Sequence, residues 1–222
     1  MSTQEKPPIQ ATEIIFEGIG GSGKTAQLAT LAHRLISLQI PTLITPSPRI
    51  DALEGSFFPP EVLRAYPVLA QAMIATFLKI CEKNELEKEI EKLNKQGQPT
   101  PVILRDGWLA SILAHDLNFF NTFNRKAIES WWRIFGLRLN PSRGATLLFD
   151  LDPSIARERQ QKKPKDRADV NISLEQASLV RMSYLTLQER YKNRWRILNA
   201  AQKPVNLNQQ VLQAVQEIIH IK

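Results

Sequence analysis

Ile14-Ile-Phe16-Glu17-Gly18-Ile-Gly-Gly-Ser-Gly-Lys24-Thr25, followed by Ala26-Gln-Leu28-Ala-Thr-Leu31-Ala32-His-Arg-Leu35, is the stretch that decides the fold. It contains the spacing G-x-x-x-x-G-K-[ST] from Gly18 to Thr25. Glycines let the chain curl so that successive backbone N–H groups face one centre, and a helix starting there aims its positive end at the same place. Gly18, Ile19, Gly20, Gly21, Ser22, Gly23, Lys24 and Thr25 are therefore the candidate phosphate cradle. The lysine reaches the outer phosphates, and the hydroxyl binds Mg²⁺. The flanks agree with this reading. Ile14, Ile15 and Phe16 form an apolar run suited to a buried strand. Leu28, Leu31, Ala32, Leu35 and Ile36 recur at helical spacing.

Working outward, strand and helix signals alternate, which points to a parallel α/β sheet. Strands are expected at 13–16, 42–45, 102–104 (ending at Arg105-Asp106), 145–151 and 205–207. Helices are expected at 24–38, 61–96, 109–117, 125–139, 153–161, 174–198 and 211–219. Residues 46–60 carry four prolines and read as a loop. The charged run from Glu82 to Lys95 reads as a solvated helix face, with Glu91 and Lys95 placed as an attractive pair. One domain over 1–222 suits the length, with 1–11 a flexible N-terminus and 160–170 a lid.

Composition narrows the function. Apolar content of 43% and charged content of 23% are ordinary for a globular chain. No run of about 18 apolar residues suggests a membrane span, and the polar N-terminus lacks a signal-peptide core, so the expected location is the cytoplasm. Cys81 is the only cysteine, which rules out an intrachain disulfide, and it reads as a small core residue. Residues 1–124 hold 11 basic and 13 acidic side chains, whereas residues 125–222 hold 18 and 9. With a phosphate cradle present, such asymmetry points to arginines gathered on a small anionic substrate rather than on nucleic acid.

Further chemistry clusters where strands end. Asp106 and Asp150 each close an apolar run, at the carboxyl edge where open α/β sheets bind ligands. Asp106 is the candidate to hold Mg²⁺ through water. The segment from Arg157 through Arg159 to Arg167 follows the fourth strand and supplies cations for a migrating phosphoryl group. Trp131-Trp132 reads as packing, and the three histidines lack metal-ligand spacing.

Taken in order, these pieces resemble the thymidylate kinase family. Phe16-Glu-Gly18 through Thr25 and Ala26-Gln27 is similar to its F-E-G-x-D-G-x-G-K-[ST]-T-Q. Val102-Ile-Leu-Arg-Asp106-Gly-Trp108 through Ser111 is similar to its V-I-x-D-R-Y-x-x-S, and Leu148-Phe-Asp150-Leu-Asp-Pro153 through Arg159, with Asp166-Arg167, to its lid region. The resemblance implies a three-layer α/β/α P-loop NTPase fold with a parallel five-stranded sheet, ATP and Mg²⁺ as cofactors, and a homodimer. It implies phosphoryl transfer to a nucleoside monophosphate or similar phosphorylated small molecule. Lys24, Arg159, Arg167 and Asp106 are then the catalytic set, with Thr25 and Asp106 on the metal. The departures fall on the acceptor side. Gly20 replaces the family's Asp, Gly107 its Arg and Trp108 its Tyr, while Thr45-Pro-Ser-Pro48-Arg49 replaces its T-R-E-P-G-G-T loop. Arg49, Arg64, Phe57, Phe58, Phe77 and Trp108 are the acceptor candidates, and the expected specificity moves away from dTMP. The rival expectation is a non-catalytic nucleotide-binding protein on the same scaffold.

Overall fold

The computed structural model describes residues 11–45, 68–116, 122–162 and 173–219. Five strands lie in one parallel sheet: β1 (Thr12–Glu17), β2 (Thr42–Thr45), β3 (Val102–Asp106), β4 (Gly144–Asp150) and β5 (Trp195–Asn199), in the order β2-β3-β1-β4-β5. Seven α-helices accompany them among the described residues: α1 (Lys24–Ser37), α2 (Val68–Lys95), α3 (Leu109–Asp116), α4 (Thr122–Ile134), α5 (Pro153–Gln161), α6 (Leu174–Arg190) and α7 (Pro204–Ile219).

The strand order fixes the layers. From β1 the chain moves outward to β2, then reverses through β3, β4 and β5. Right-handed crossovers place α1 on one face and the helices of the return path on the other. The packing agrees. α1 meets α7 on one side, while α2, α3, α4, α5 and α6 contact one another on the opposite side. β1 is the central strand, paired with β3 from Thr12–Val102 to Phe16–Asp106 and with β4 from Glu13–Gly144 to Glu17–Leu148. Buried on both faces, β1 reads as a continuous apolar run rather than an alternating one. Phe16 stacks on Phe149 of β4 with ring centroids 5.5 Å apart.

Trp195, Tyr184, Phe16 and Phe149 are fully buried in one core cluster, each stabilising by roughly 1.5–3 kcal/mol. On α1, the buried stripe is Gln27, Leu28, Leu31, Ala32 and Leu35; Ile36 is exposed, contrary to the expected stripe. Ion pairs Lys83–Glu87 and Lys95–Glu91 decorate α2, the second as the charge spacing suggested. No helix among the described residues is long and apolar enough to cross a membrane.

Several expectations fail. The fifth strand is Trp195–Asn199, and Val205–Leu207 lies inside α7. The expected helix over 174–198 stops at Arg190, followed by a single 3₁₀ turn at Lys192–Arg194. The cause is tertiary. Arg196 to Asn199 pair with Leu147 to Asp150 of β4, and Trp195 sends its indole N–H to Asn140 at 2.7 Å. Sheet hydrogen bonds and the burial of Trp195 override the helical spacing. At the next element Pro204 takes the first helical position, where its missing N–H costs nothing. Cys81 is exposed rather than core.

Gly144 opens β4 at φ 117°, and a Cβ there would overlap the Glu13 backbone. Gly144→Ala is expected to lose roughly 2–4 kcal/mol, the range for a disallowed backbone conformation combined with a clash. Urea unfolding would read this; a loss below about 1 kcal/mol would contradict the tight β1–β4 start.

Candidate active site

The loop between β1 and α1 is shaped by its glycines. Gly18, Gly21 and Gly23 take φ of 140°, 83° and 91°. A Cβ on Gly18 would stand 2.6 Å from the Phe149 carbonyl, and one on Gly21 would stand 2.6 Å from the Ala156 carbonyl. The loop therefore lies directly against the end of β4 and the body of α5, with no room for a side chain at Gly18 or Gly21. Ser22 N–H closes the turn on the Ile19 carbonyl at 3.3 Å. Gly23 is the N-cap of α1, without a side-chain cap, and nothing lies within 4 Å of where its Cβ would be. The positive end of α1 thus opens into free space. Ser22 Oγ is buried without a partner.

Two side chains complete this mouth. Lys24 Nζ donates to the carbonyls of Gly18 (2.6 Å) and Ile19 (3.1 Å). Thr25 Oγ1 donates to Asp106 Oδ2 at 2.6 Å, joining the first turn of α1 to the last residue of β3. These residues fit a polyphosphate with a hard divalent cation. An uncapped helix end and an unpaired buried hydroxyl suit phosphate oxygens. A hydroxyl beside a carboxylate supplies two oxygen donors, the usual protein share for Mg²⁺ held with substrate phosphates.

Behind the mouth lies Glu17, fully buried. Its Oε1 accepts from Trp108 N–H at 2.7 Å, and its Oε2 accepts from Tyr184 Oη at 3.1 Å. Burial pushes its carboxyl up from the usual 4.5 to about 7, against the lowering effects of these bonds and of Lys24 and Lys79. Tyr184 is raised as well, first by burial and then by the neighbouring Glu17.

At the end of β4, Asp150 takes a two-pronged bond from Arg181 of α6, at 2.7 and 2.9 Å. That bond raises the guanidinium pKa. Asp150 is thus engaged structurally, while Asp152 caps α5 through Ser154 N–H at 2.8 Å. Arg159, on the last turn of α5, donates to the Ala200 carbonyl at 2.9 Å, beyond β5. Arg157 is exposed. Arg167, Arg49, Arg64, Phe57 and Phe58 lie outside the described residues.

On the other flank, Trp108 is 4% exposed and its indole N–H is spent on the Arg138 carbonyl at 2.9 Å. It is a core residue, so it does not line an acceptor pocket as the sequence suggested. Cations crowd its ring: Arg105 Cζ at 4.0 Å and Lys79 Nζ at 4.9 Å. Arg105 reaches Glu13 and Glu82, each at 2.7 Å. Lys79 reaches Glu82 at 2.9 Å and the Gly107 carbonyl at 3.2 Å, and burial lowers its pKa. Phe77, two residues earlier on α2, is exposed. Gln160 places its side-chain amide where a Cβ on Gly20 would be. Sequence reasoning missed Glu17, Tyr184, Lys79, Arg105 and Arg181. The available signal was an isolated charge inside an apolar run, as in Phe77-Leu-Lys79-Ile and Ile103-Leu-Arg105.

The family model Thymidylate kinase matches residues 16–211. The chain belongs to the thymidylate kinase family. Among curated relatives, "Thymidylate kinase" of Tropheryma whipplei (strain Twist) is 29% identical over 206 residues, covering 90% of this chain and 92% of that protein. "Thymidylate kinase" of Carboxydothermus hydrogenoformans is 29% identical over 192 residues, covering 86% and 90%. That of Pelotomaculum thermopropionicum is 24% identical over 213 residues, covering 93% of both. Family membership makes the chain a nucleotide kinase by descent, and the matched span runs from the strand before the glycine loop to α7.

Glu17 generates a pH prediction. A carboxyl with a raised native pKa holds its proton more tightly folded than unfolded. Its contribution to stability is complete below about 4.5 and is lost as pH rises through about 7. Glu17→Gln keeps the shape and removes that loss. The wild type is therefore expected to lose stability relative to Glu17→Gln between pH 5 and 8, by up to ~3 kcal/mol. Urea unfolding of both proteins at the two pH values checks this; a constant difference would contradict the buried, proton-binding carboxyl.

Proposed function

We propose that this chain is an ATP-dependent kinase that phosphorylates a nucleoside monophosphate or similar phosphorylated small molecule, through an acceptor site rewritten relative to its family. One observation carries the reading. The Thr25 hydroxyl and the Asp106 carboxylate meet at 2.6 Å beside the uncapped start of α1. Two oxygen donors thus stand beside the uncapped helix start, with the Lys24 ammonium on the loop before it, which supports a phosphate–metal site.

Bound Mg²⁺–ATP supplies the transferable phosphoryl group and charge neutralisation on it. The chain's part is positioning and electrostatics. Amides of residues 19 to 25 hold the donor β-phosphate. Lys24, at the loop's rim, neutralises charge on the β and γ groups. Thr25 ligates the metal, and Asp106 holds it through water. Arg159 and Arg167, helped by Arg157, clamp the moving group. A dry, preorganised site makes such cations far more effective than they are in water.

The acceptor lies between the 45–80 region and the turn after Asp106. Arg49 and Arg64 are its phosphate ligands, and Phe57, Phe58 and Phe77 are its stacking surfaces. Phe77 projects from α2 with 62% of its surface exposed, which supports the last assignment. Specificity differs from dTMP. Gly20 and Gly107 offer no side chain to an acceptor. Lys79 and Arg105 are committed to Glu82 and Glu13. A site lacking a base's hydrogen-bond partners no longer selects that base strongly. This internal pairing also motivates a second reading, nucleotide binding without transfer.

Incubation with Mg²⁺–ATP and a panel of nucleoside monophosphates, with ADP release measured, separates the two. Turnover with at least one acceptor other than dTMP is expected. Lys24→Ala is expected to lower kcat by at least ~10²-fold with the fold intact by circular dichroism. ATP binding with no transfer to any acceptor would favour the second reading; full activity of Lys24→Ala would remove the first.

A further inference from the structure

The β1–β3 ladder ends at the pair Phe16–Asp106. Past it, the chain turns sharply at Gly107, φ 78°, whose N–H still reaches the Phe16 carbonyl at 2.9 Å. The next donor, Trp108 N–H, has no strand carbonyl opposite it. Glu17 Oε1 takes that place at 2.7 Å. The carboxylate thus adds one side-chain rung to the ladder, immediately after the residue that meets Thr25. From the other side, Lys79 Nζ holds the Gly107 carbonyl. Glu17's second oxygen receives the hydroxyl of Tyr184, on α6. α6 starts at the Ser173 capping box, just after the basic segment that follows α5. One buried side chain therefore touches the strand feeding the glycine loop, the turn behind Asp106 and the helix that follows the basic segment.

We infer that Glu17 is a positioning residue: its carboxyl holds the Gly107–Trp108 turn so that Asp106 faces Thr25, and through Tyr184 it ties that alignment to α6. Both of its bonds are acceptor bonds, one from a backbone amide and one from a phenol. A glutamine keeps the first unchanged and can reverse the second by donating to the phenol oxygen. Hydrogen bonding rather than charge is what the position requires. Methionine fills a similar volume but offers neither bond.

The inference rests on the kinase reading above, and Mn²⁺ tests it without turnover. The affinity of the ATP-bound protein for Mn²⁺ is read by electron paramagnetic resonance for the wild type, Glu17→Gln, Glu17→Met and Tyr184→Phe. Residues behind a metal site typically change affinity or activity by 10–100-fold, so Glu17→Met is expected to weaken Mn²⁺ by about 10-fold and to lower kcat more than it raises KM for ATP. Glu17→Gln is expected within about 3-fold of the wild type, and Tyr184→Phe between the two. Unchanged Mn²⁺ affinity in a folded Glu17→Met protein overturns the inference. So does an equal loss in Glu17→Gln and Glu17→Met, which would make charge the agent. If Glu17→Met does not fold, Tyr184→Phe decides: wild-type affinity there overturns the inference. A wild type that binds ATP–Mn²⁺ while the variants bind it equally well sinks this inference alone. A wild type that binds none sinks the kinase reading along with it.

Discussion

Everything at the mouth depends on backbone lying against backbone where β1 leaves the sheet. Gly18 rests on the Phe149 carbonyl and Gly21 on Ala156, approaches that a single methyl group would block. This contact fixes where α1 begins. It therefore fixes where the free amides point, where Lys24 projects and where Thr25 meets Asp106. β1 is held on both edges by parallel partners, so the bend cannot relax by sliding the strand. The geometry is set by strands two neighbours wide on either side, not by the loop.

Around that point the protein divides its charges. At the mouth, the uncapped helix start and the Thr25–Asp106 pair face outward, with the Ser22 hydroxyl buried beneath them. On the opposite flank the polar groups turn inward. Lys79, Arg105, Glu13 and Glu82 satisfy one another, with both cations near the Trp108 ring. Buried charges survive only when paired and hydrogen-bonded, and this cluster meets that condition. Lys79 also holds the Gly107 carbonyl, so the cluster braces the turn after β3. The same chain thus leaves some polar groups open at the mouth and spends others on internal support.

Most of the sheet could be read from the order of residues. β1, β2, β3, β4, α1 and α5 fall within one or two residues of their expected places, because each is bounded by a glycine, a proline or a capping aspartate. The last strand could not. Arg194-Trp195-Arg196-Ile197-Leu198 carries no turn signal ahead of it and continues the spacing of α6. Only the free edge of β4 and the buried niche for Trp195 select strand over helix. Trp108 was misjudged for a related reason. An aromatic beside a site residue looks like a ligand contact until its indole N–H is found on Arg138. Glu17 gave no signal beyond its place in the motif, since nothing local shows that Trp108 and Tyr184 converge on it.

The sequence by itself determined the glycine bend between β1 and α1, because that bend needs only glycines at set spacing and a helix-forming run after them. It also determined that Asp106 ends a strand. Which strands lie side by side, and hence that Asp106 stands beside Thr25 across 81 positions of chain, was decided by the tertiary structure. The physical reason is range. Backbone conformation and helix capping act within a few residues. Strand pairing, burial of a carboxyl and the sharing of its two oxygens between distant donors exist only once the sheet and its covering helices have closed together.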